Sequence, residues 1–404
     1  MQHKIPAVFM RGGTSRAVFF TQAAMQPYDA ATRDAIILTA LGSPDPYGRQ
    51  IDGLGGGISS LSKAAIIGPC DSPEADVTFN FAQVDVHKPF VDWSGTCGNM
   101  SAAVGPFAID EGLVKPVEPV TRVWVLATNT GKRYIAHVPV HNGYAAVEGD
   151  TAIDGVPGTG AGIALEYLEP GGTLGGDLLP TGQPRQKITL ANGRPVSVSL
   201  VDAALPMVYV RAEELGADAT LLAPQLDTDT GLQALLEDIR CRAAVLLGLA
   251  DDVQQASETV KAVPKIALVA PPADYVSSAG KAIAAERIDL VARAISMRST
   301  HRTFPGTASM CTAVAAAVEG TVVHEVARQE RPSPPTLSCK GRGNLRLGHP
   351  AGIMEIAAQV HQKDGVWQVE SVTTQRTARR IMEGAILVPP SAMAGKPWFN
   401  ACQP

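Results

Sequence analysis

The chain contains 404 residues, of which 45% are hydrophobic and 18% charged, and its 39 Gly and 30 Pro indicate many turns. This length is enough for two or three domains with cores of their own, and the composition is typical of a compact soluble protein. The formal net charge of −5, together with the absence of any basic block, argues against nucleic-acid binding.

The N-terminus and the cysteines indicate the expected compartment. Residues 1–9 enter a strand pattern directly, without the apolar core and cleavage site of a signal peptide, and no apolar run reaches membrane-spanning length. The six cysteines lack CxxC spacing, which disfavours disulfide and zinc frameworks; they are Cys70, Cys97, Cys241, Cys311, Cys339 and Cys402. We therefore expect a cytoplasmic protein with reduced thiols, no metal site and no membrane partner.

The first segments lead to a glycine-rich loop. Residues 5–20 are predicted to form two short strands on either side of the polar turn 11–16, and residues 27–42 have the apolar spacing of a helix. The glycine-rich stretch 49–63 then precedes a short apolar strand at 64–67. Its glycines do not complete GxGxxG, and Gly-Lys-Ser/Thr is missing, so neither nucleotide-binding fingerprint fits. We expect no bound cofactor.

Lys63 stands where this serine-rich turn meets the apolar strand. Burial at that junction would lower its pKa toward a value that is useful to a general base. The alternative is a strand-end lysine that reaches solvent, which is the usual position of a lysine side chain. These residues alone leave both interpretations open.

A cysteine between glycines opens an uncharged helix in the stretch 93–109. A helix that is apolar on every face belongs inside a domain. Its first turn carries unpaired backbone N–H groups and the positive end of the helix dipole, which favour an anion. At this position Cys97 is either a reactive thiol with a lowered pKa or a small side chain that packs the helix start.

Strands and helices alternate along the following segments. Strands are predicted at 121–127, 133–140, 144–149, 265–270 and from 347 to 388, helices at 232–247 and 284–295, loops at 155–182 and 274–280, and an exposed proline-rich insertion at 329–346. His137 and His141 share one strand face and are predicted to be structural rather than metal-binding. Residues 196–210 repeat the strand, turn, strand pattern that opens the chain, which indicates an internal repeat.

A second uncharged helix follows a Gly-Thr turn in the stretch 304–318. Two domains, each built around a buried central helix, would account for both helices. If the two helix starts face each other, the cleft between them would suit a small polycarboxylate.

Several motifs in combination resemble those of the 2-methylaconitate cis-trans isomerases of the methylcitrate route, a family with the diaminopimelate epimerase-like fold. The resemblance extends over nearly the whole chain. It rests on Met10-Arg11-Gly12-Gly13-Thr14-Ser15, Gln50-Ile51-Asp52-Gly53 with Ser59 to Lys63, Phe90-Val91-Asp92-Trp93-Ser94-Gly95 with Cys97-Gly98-Asn99, and Gly348-His349-Pro350.

The resemblance implies an α+β fold with two pseudo-symmetric domains, each a curled mixed or antiparallel sheet around a central helix, and an active site in the cleft between them. We place the N-terminal domain at 1–147, completed by 386–404, and the C-terminal domain at 148–385. The resemblance further implies cofactor-independent proton transfer on an unsaturated tricarboxylate, and a homodimer.

The resemblance also gives two residues catalytic positions. Lys63 matches the catalytic lysine of the family, and Cys97 matches the cysteine at the start of the first central helix. Amino-acid epimerases of this fold have a second cysteine at the other helix, where this chain has Pro305, and Cys311 is expected in the core. The missing thiol disfavours a two-thiol racemase.

The resulting hypothesis is a proton shift through a dienolate. Neutral Lys63 abstracts a proton from a carbon next to a carboxylate and a double bond, and reprotonation gives cis-trans exchange or an allylic shift. Cys97 either returns the proton or assists its removal. The predicted substrate contacts are backbone amides at the two helix starts, Gly98, Asn99, Gly306 and Thr307, and the side chains of Arg11, Thr14, Ser15, Ser60 and His301; Arg11 or Arg302 offers a fork to a carboxylate.

Three other functions are compatible with some of these residues. The same scaffold could support 4-oxalomesaconate tautomerisation. Arg16 stands where the family usually has lysine, and this difference concerns the identity of the substrate more than the type of reaction. A non-catalytic polycarboxylate-binding protein would use the same helix starts without chemistry. A cysteine hydrolase based on Cys97 lacks a base nearby in the sequence.

Overall fold

The computed structural model describes residues 1–260, 263–296, 299–328 and 344–395. Most of the predicted insertion at 329–346 lies outside these ranges, but its last three residues do not form an insertion. They begin a strand in which Asn344 and Leu345 are buried. No helix within the described ranges is long and apolar enough to cross a membrane.

The secondary structure comprises short strands interrupted by a few helices. The strands are β1 (His3–Gly12), β2 (Ser15–Thr21), β3 (Lys63–Pro69), β4 (Val77–Val84), β5 (Val91–Asp92), β6 (Val120–Ala127), β7 (Lys132–His141), β8 (Tyr144–Ala145), β9 (Ile163–Leu168), β10 (Gln186–Thr189), β11 (Pro195–Ala203), β12 (Leu205–Arg211), β13 (Lys265–Ala270), β14 (Tyr275–Val276), β15 (Ala282–Ile283), β16 (Leu290–Ser296), β17 (Ser299–Thr300), β18 (Asn344–His349), β19 (Gly352–Lys363), β20 (Val366–Arg376) and β21 (Ala378–Val388). The helices are α1 (Gln22–Met25), α2 (Ala30–Leu41), α3 (Gly98–Asp110), α4 (Ala212–Leu215), α5 (Ala223–Thr228), α6 (Thr230–Leu246), α7 (Val253–Thr259), α8 (Gly306–Ala317), α9 (Val322–Val326) and α10 (Pro390–Met393).

The chain divides into two compact units, Met1–Glu166 with Gln375–Pro404, and Tyr167–Thr374. These limits differ from the predicted boundaries at 147/148 and 385/386 for a physical reason. Strand β9 pairs with β7, which extends the first unit past residue 147. Strand β21 pairs with β1 along its whole length, which brings the chain back into the first unit before residue 386.

The first unit is a sheet in the order β21, β1, β2, β3, β4, β6, β7. Neighbouring strands are antiparallel except for the pairs β2/β3 and β4/β6, which are parallel. Helix α3 contacts β1 and β2 near one end of this order and β6 and β7 at the other, so the sheet curls around the helix. The ten residues Met100–Ile109 are all buried, which explains why the helix carries no charge until Asp110.

The second unit repeats this arrangement. Its order β10, β11, β12, β13, β16, β18, β19 has the same succession of antiparallel and parallel pairs, with β12/β13 and β16/β18 parallel. Helix α8 contacts β11 and β12 as well as β18 and β19. The α+β class with a curled mixed sheet around a central helix is therefore confirmed in each unit, as is the predicted repeat of the first two strands.

A second helix covers the outer face of each sheet. In the second unit, Met207 and Tyr209 of β12 pack toward α8, whereas Val208 and Val210 pack with α6 on the opposite face. Helix α2 has the corresponding outer position in the first unit, where it shares a core with β1, β2 and β3. Because alternate side chains of a strand point to opposite faces, burial of both faces requires strands that are apolar throughout.

The predicted helix at 284–295 is wrong. The chain forms a single 3₁₀ turn at Ala285–Arg287 and then strand β16 between β13 and β18. The apolar spacing was compatible with a helix, but a strand places Arg293, with no exposed surface, where its guanidinium donates to the carbonyls of Leu221 (2.8 Å) and Thr220 (3.0 Å). The predicted loops at 155–182 and 274–280 also contain short strands, β9 and β14.

Helix α3 approaches its sheet closely at Gly105. A side-chain carbon at this position would lie 2.6 Å from Val138 Cγ2 and 3.0 Å from Ala136 Cβ in β7. We expect Gly105→Val to lower the melting temperature strongly, because overpacking a rigid core costs about 1–3 kcal/mol or more. The matched variant Gly231→Val changes an exposed residue of α6 and should melt within a few degrees of wild type. Equal melting temperatures for both variants would contradict this packing.

Candidate active site

Lys63 begins β3 and is buried, with only 7% of its surface exposed. Its ammonium nitrogen donates a hydrogen bond to the side-chain oxygen of Gln83 and lies 5.1 Å from the centre of the Phe81 ring. Burial lowers the pKa of Lys63 from its ordinary value, and the nearby Cys97 opposes this effect through its charge. The structure thus favours the buried-lysine interpretation over a lysine that reaches solvent.

Gln83 is held in one orientation by the turn that precedes Lys63. Its side-chain nitrogen donates to the carbonyl oxygens of Ser62 (2.9 Å) and Ser59 (3.1 Å). Gln83 also lies directly opposite Lys63 in the β3/β4 pair. Because both N–H donors of the amide are used, the amide oxygen is the atom that faces Lys63.

A second glutamine fixes the glycine-rich loop to the same turn. Gln50 is 1% exposed, and its side-chain nitrogen donates to the hydroxyls of Ser43 and Ser62, both at 2.7 Å. Its oxygen accepts from the backbone N–H groups of Gly57 (2.9 Å) and Gly56 (3.0 Å). All four hydrogen-bonding positions of the amide are filled, so the glycine-rich loop is an ordered support for the segment that carries Ser60 and Lys63.

Cys97 is the N-cap residue of α3 and is half-buried. Its carbonyl oxygen accepts from the Ser101 N–H (2.9 Å) and hydroxyl (3.1 Å), while no side chain caps the helix start. The first turn contains no acidic side chain. The N–H groups of Gly98 and Asn99 have no partners within the helix, which favours an anion at this helix start. That a substrate binds there stays a prediction.

Asn99 connects this helix start to the turn between β1 and β2. Its side-chain nitrogen donates to Thr14 Oγ1 (3.0 Å) and Ser15 Oγ (3.3 Å). Gly13 has φ +51°, and a side-chain carbon there would lie 2.3 Å from Asn99 Oδ1. Only glycine permits this approach, which brings the predicted residues Thr14 and Ser15 to the start of α3.

Arg11 supports the same turn from the other side. One guanidinium nitrogen donates to the carbonyl oxygens of Thr377 (2.9 Å) and Gly13 (3.0 Å). Burial, and secondarily the charge of Arg379, lowers the pKa of Arg11. This nitrogen serves the backbone of the turn, so a carboxylate would have to use the remaining donors of Arg11.

Arg16 has a donor that no residue of the described ranges accepts from. Its guanidinium lies over the Phe9 ring at 5.4 Å, and its buried Nε has no hydrogen-bond partner there. A side-chain carbon on Gly56 would lie 3.1 Å from one of its terminal nitrogens. Arg16 is therefore a cation beside the glycine-rich loop whose Nε–H is enclosed by the protein.

The remaining predicted residues form a separate group in the second unit. His301 accepts through Nδ1 from the Thr303 N–H (3.2 Å), which leaves the proton on Nε2 of the neutral ring. Burial lowers the pKa of His301, and the charge of Lys265 adds to this effect. Gly306 and Thr307 occupy the first turn of α8, which like α3 has no side-chain cap and no acidic residue there.

The repeat makes Lys265 the counterpart of Lys63, since each begins the fourth strand in the order given for its sheet. Cys97 is the fifth residue after Asp92, which ends β5, and Pro305 is the fifth residue after Thr300, which ends β17. The alignment of Pro305 with Cys97 agrees with this spacing. Cys311 has no exposed surface, and burial raises its pKa to about 12, in agreement with its predicted place in the core.

Sequence reasoning missed three polar residues that organise the Lys63 group: Gln50, Gln83 and Asn129. Asn129, in the β6/β7 turn, donates to the carbonyls of Trp93 (2.6 Å) and Phe81 (3.0 Å). It thereby holds the strand beside Lys63 against the segment that leads to Cys97. Gln50 lay within a motif of the family, but no sequence signal marked Gln83 or Asn129, because they contact their partners only across strands.

The described residues contain no group of three or more His, Cys, Asp or Glu side chains that could hold a metal ion. His137, on β7, instead pairs with Glu166 at 2.9 Å between the ring nitrogen and a carboxylate oxygen. This contact gives His137 a structural partner.

Comparisons with known proteins give consistent results. The family model described as PrpF protein matches residues 2–389. The 3-methylitaconate isomerase of Eubacterium barkeri is 43% identical over 388 residues, covering 96% of this chain and 98% of that protein. The 2-methyl-aconitate isomerase of Cupriavidus necator is 40% identical over 403 residues, covering 97% and 98%. The crystal structure of a methylitaconate-delta-isomerase matches with a TM-score of 0.88 and 42% identity, covering 99% of each chain.

The lowered pKa of Lys63 predicts a pH-dependent stability difference between wild type and Lys63→Met. In the unfolded chain lysine titrates near 10.4, above its folded pKa, so the unfolded state binds the proton more tightly. Below the folded pKa, the cost of burying the protonated lysine lowers the free energy of unfolding of the wild type by its full amount. This cost disappears as the pH rises toward about 10.4. We expect the urea midpoint of wild type to rise relative to Lys63→Met between pH 7 and pH 10. The same comparison with Lys187→Met, at an exposed lysine, should be flat, and a flat result for Lys63→Met would contradict the burial argument.

Proposed function

Because this chain belongs to the PrpF family, as its motifs predict, we propose that it is an isomerase of an unsaturated tricarboxylate and that 2-methylaconitate is its substrate. The observation that carries the proposal is Lys63, a buried lysine with a lowered pKa that is hydrogen-bonded to a neutral amide rather than to a carboxylate. The lowered pKa makes the neutral amine, which is the form that accepts a proton, easier to reach than in an exposed lysine.

The proposed reaction begins with proton abstraction by Lys63. The lone pair of its amine takes a proton from the carbon that lies next to a carboxylate and to the carbon–carbon double bond. The electrons left on that carbon spread through the double bond to the carboxylate oxygens as a dienolate. The former double bond then has partial single-bond character and rotates. Return of a proton to the same carbon gives the cis-trans isomer, and return to the far carbon gives an allylic shift.

The developing negative charge needs donors that are already in place. The open N–H groups of Gly98 and Asn99 supply backbone donors at the positive end of α3. Gly306 and Thr307 give the second unit a helix start of the same kind.

Cys97 is the second proton-transfer group of the proposal. It is half-buried at the start of α3, and its charge acts on Lys63. The two roles left open by the sequence have different consequences. If Cys97 returns the proton, Cys97→Ala still exchanges hydrogen with solvent but does not complete the isomerisation. If Cys97 assists removal, both processes stop together.

We expect proton NMR in D2O to detect isomerisation of 2-methyl-trans-aconitate together with deuterium uptake at the ionised carbon. Lys63→Ala should lower both rates by about 10²–10⁴-fold, the usual contribution of a positioned base. Lys115→Ala removes an exposed lysine from the same unit and is the matched control. The series should include 3-methylitaconate and 4-oxalomesaconate. Turnover of one of these acids instead would support the proton-transfer chemistry with a different substrate. Binding of an acid without hydrogen–deuterium exchange would support a non-catalytic polycarboxylate-binding protein.

A charge at the start of α3 should separate substrate binding from stability. Asn99→Asp places a carboxylate among the N–H groups proposed for the substrate, so we expect KM to rise by at least about tenfold through like-charge repulsion. The same carboxylate interacts favourably with the helix dipole, by about 0.3–1 kcal/mol. The added charge should therefore raise KM without lowering the melting temperature. Asn99→Ala removes the contacts to Thr14 and Ser15 without adding charge. A KM for Asn99→Asp no higher than that of Asn99→Ala would argue against anion binding at this helix start.

A further inference from the structure

We propose that Gln83 is a positioning residue for Lys63: its locked, uncharged amide aims the lysine amine and leaves it without a counter-ion that would retain its proton. This inference rests on the proposed function and deepens it. Gln83 acts through Lys63 and need not touch the substrate.

The amide of Gln83 is held in one orientation by its own hydrogen bonds. Both donor positions of Gln83 are taken by the carbonyls of Ser59 and Ser62, at 3.1 and 2.9 Å. In a flipped amide, the oxygen would face the two carbonyls and the N–H groups would face Lys63. All three hydrogen bonds of the amide would then be lost. The oxygen is therefore held toward Lys63, and the Ser62 hydroxyl is in turn fixed by Gln50.

The hydrogen bond to Gln83 also sets the direction of the amine. A neutral amine has two N–H bonds and one lone pair in a tetrahedral arrangement. Donation of one N–H to Gln83 restricts rotation about the terminal bond, so the lone pair points away from β4. The face of Phe81 limits another direction, with its centre 5.1 Å from the nitrogen. A base that has lost most of its rotational freedom before the substrate binds pays less of that entropy in the reaction.

The uncharged state of the Gln83 amide also matters for the protonation of Lys63. A glutamate has nearly the same shape as glutamine, but its carboxylate would stabilise the protonated lysine. Burial disfavours the ammonium form, and in the described part of the chain Cys97 is the titratable group whose charge opposes that effect. An amide at position 83 accepts a hydrogen bond from the lysine without adding a second opposing charge. The choice of glutamine over glutamate is thus the feature that the experiment must test.

The test is Gln83→Glu, with Gln22→Glu as the matched control at the far end of β3, where the Gln22 side chain lies beside Gly68. The readout that does not depend on activity is competitive labelling with acetic anhydride as a function of pH, followed by mass spectrometry of the peptide that contains Lys63. In Gln83→Glu we expect the labelling pKa of Lys63 to rise by about 1–3 pH units. The rising limb of kcat/KM should move to higher pH by the same amount. Gln22→Glu should leave both curves in place.

A second variant keeps the proposal testable if Gln83→Glu does not fold. Gln83→Met retains the volume of the side chain but removes the acceptor and both donors. We expect kcat to fall on the order of 10–100-fold, as for a misplaced catalytic group, with KM nearly unchanged and no upward movement of the pH limb. A purely structural role would instead lower stability and leave the kcat of the folded fraction unchanged.

The outcomes separate this inference from the proposed function. An unshifted labelling curve in folded Gln83→Glu, or an unchanged kcat in Gln83→Met, overturns the role of Gln83. If wild type isomerises none of the acids, the proposed function fails, but labelling still decides whether position 83 controls the protonation of Lys63. A shifted labelling curve in that case would support the local role alone.

Discussion

The unfavourable free energy of burying a lysine ammonium is the constraint on which the rest of the site depends. Lys63 loses nearly all of its contact with water at the start of β3, and its acceptor is a neutral amide. Under these conditions the uncharged amine becomes more favourable, which converts a common surface residue into a candidate base. The surrounding hydrogen bonds keep that environment ordered. Gln83 is held by the Ser59–Ser62 turn, and that turn is held by Gln50 through Ser62.

A comparison with Arg293 shows that burial alone does not produce a base. Arg293, in the second unit, is also completely buried, and among the residues that the structure describes no carboxylate lies within hydrogen-bonding distance of it. Backbone carbonyls accept from its donors instead. Burial lowers its pKa to about 10, so the guanidinium remains charged at neutral pH. The difference lies in the side chain, because an ammonium has a lower intrinsic pKa and is more strongly hydrated than a guanidinium. The same physical effect therefore gives a structural cation at one place and a potential proton acceptor at the other.

The repeated fold explains why chemistry concentrates at particular places in each unit. A helix surrounded by a curled sheet must be uncharged, because there is no solvent to receive a charged side chain. Its first N–H groups nevertheless need partners, so the open start of each helix is a place where an anion is favourable. The two units have filled the equivalent positions differently. The first has Cys97 at the helix start and Lys63 on the fourth strand of the order, whereas the second has Pro305 and Lys265 at these positions, and the charge of Lys265 acts on His301.

The sequence alone determined the features that depend on local composition. The two uncharged helices, the strand pairs at 5–20 and 196–210, and the buried position of Cys311 all follow from apolar patterning, which reports burial whatever the partner is. The motifs of the family likewise marked Lys63 and Cys97. Only the tertiary structure decided whether residues 284–295 form a helix or a strand, because an apolar segment buried on both faces satisfies either periodicity. It also decided that Gln50, Gln83 and Asn129 belong to the site, since a polar side chain reveals its role only when strands distant in sequence bring its donors and acceptors together.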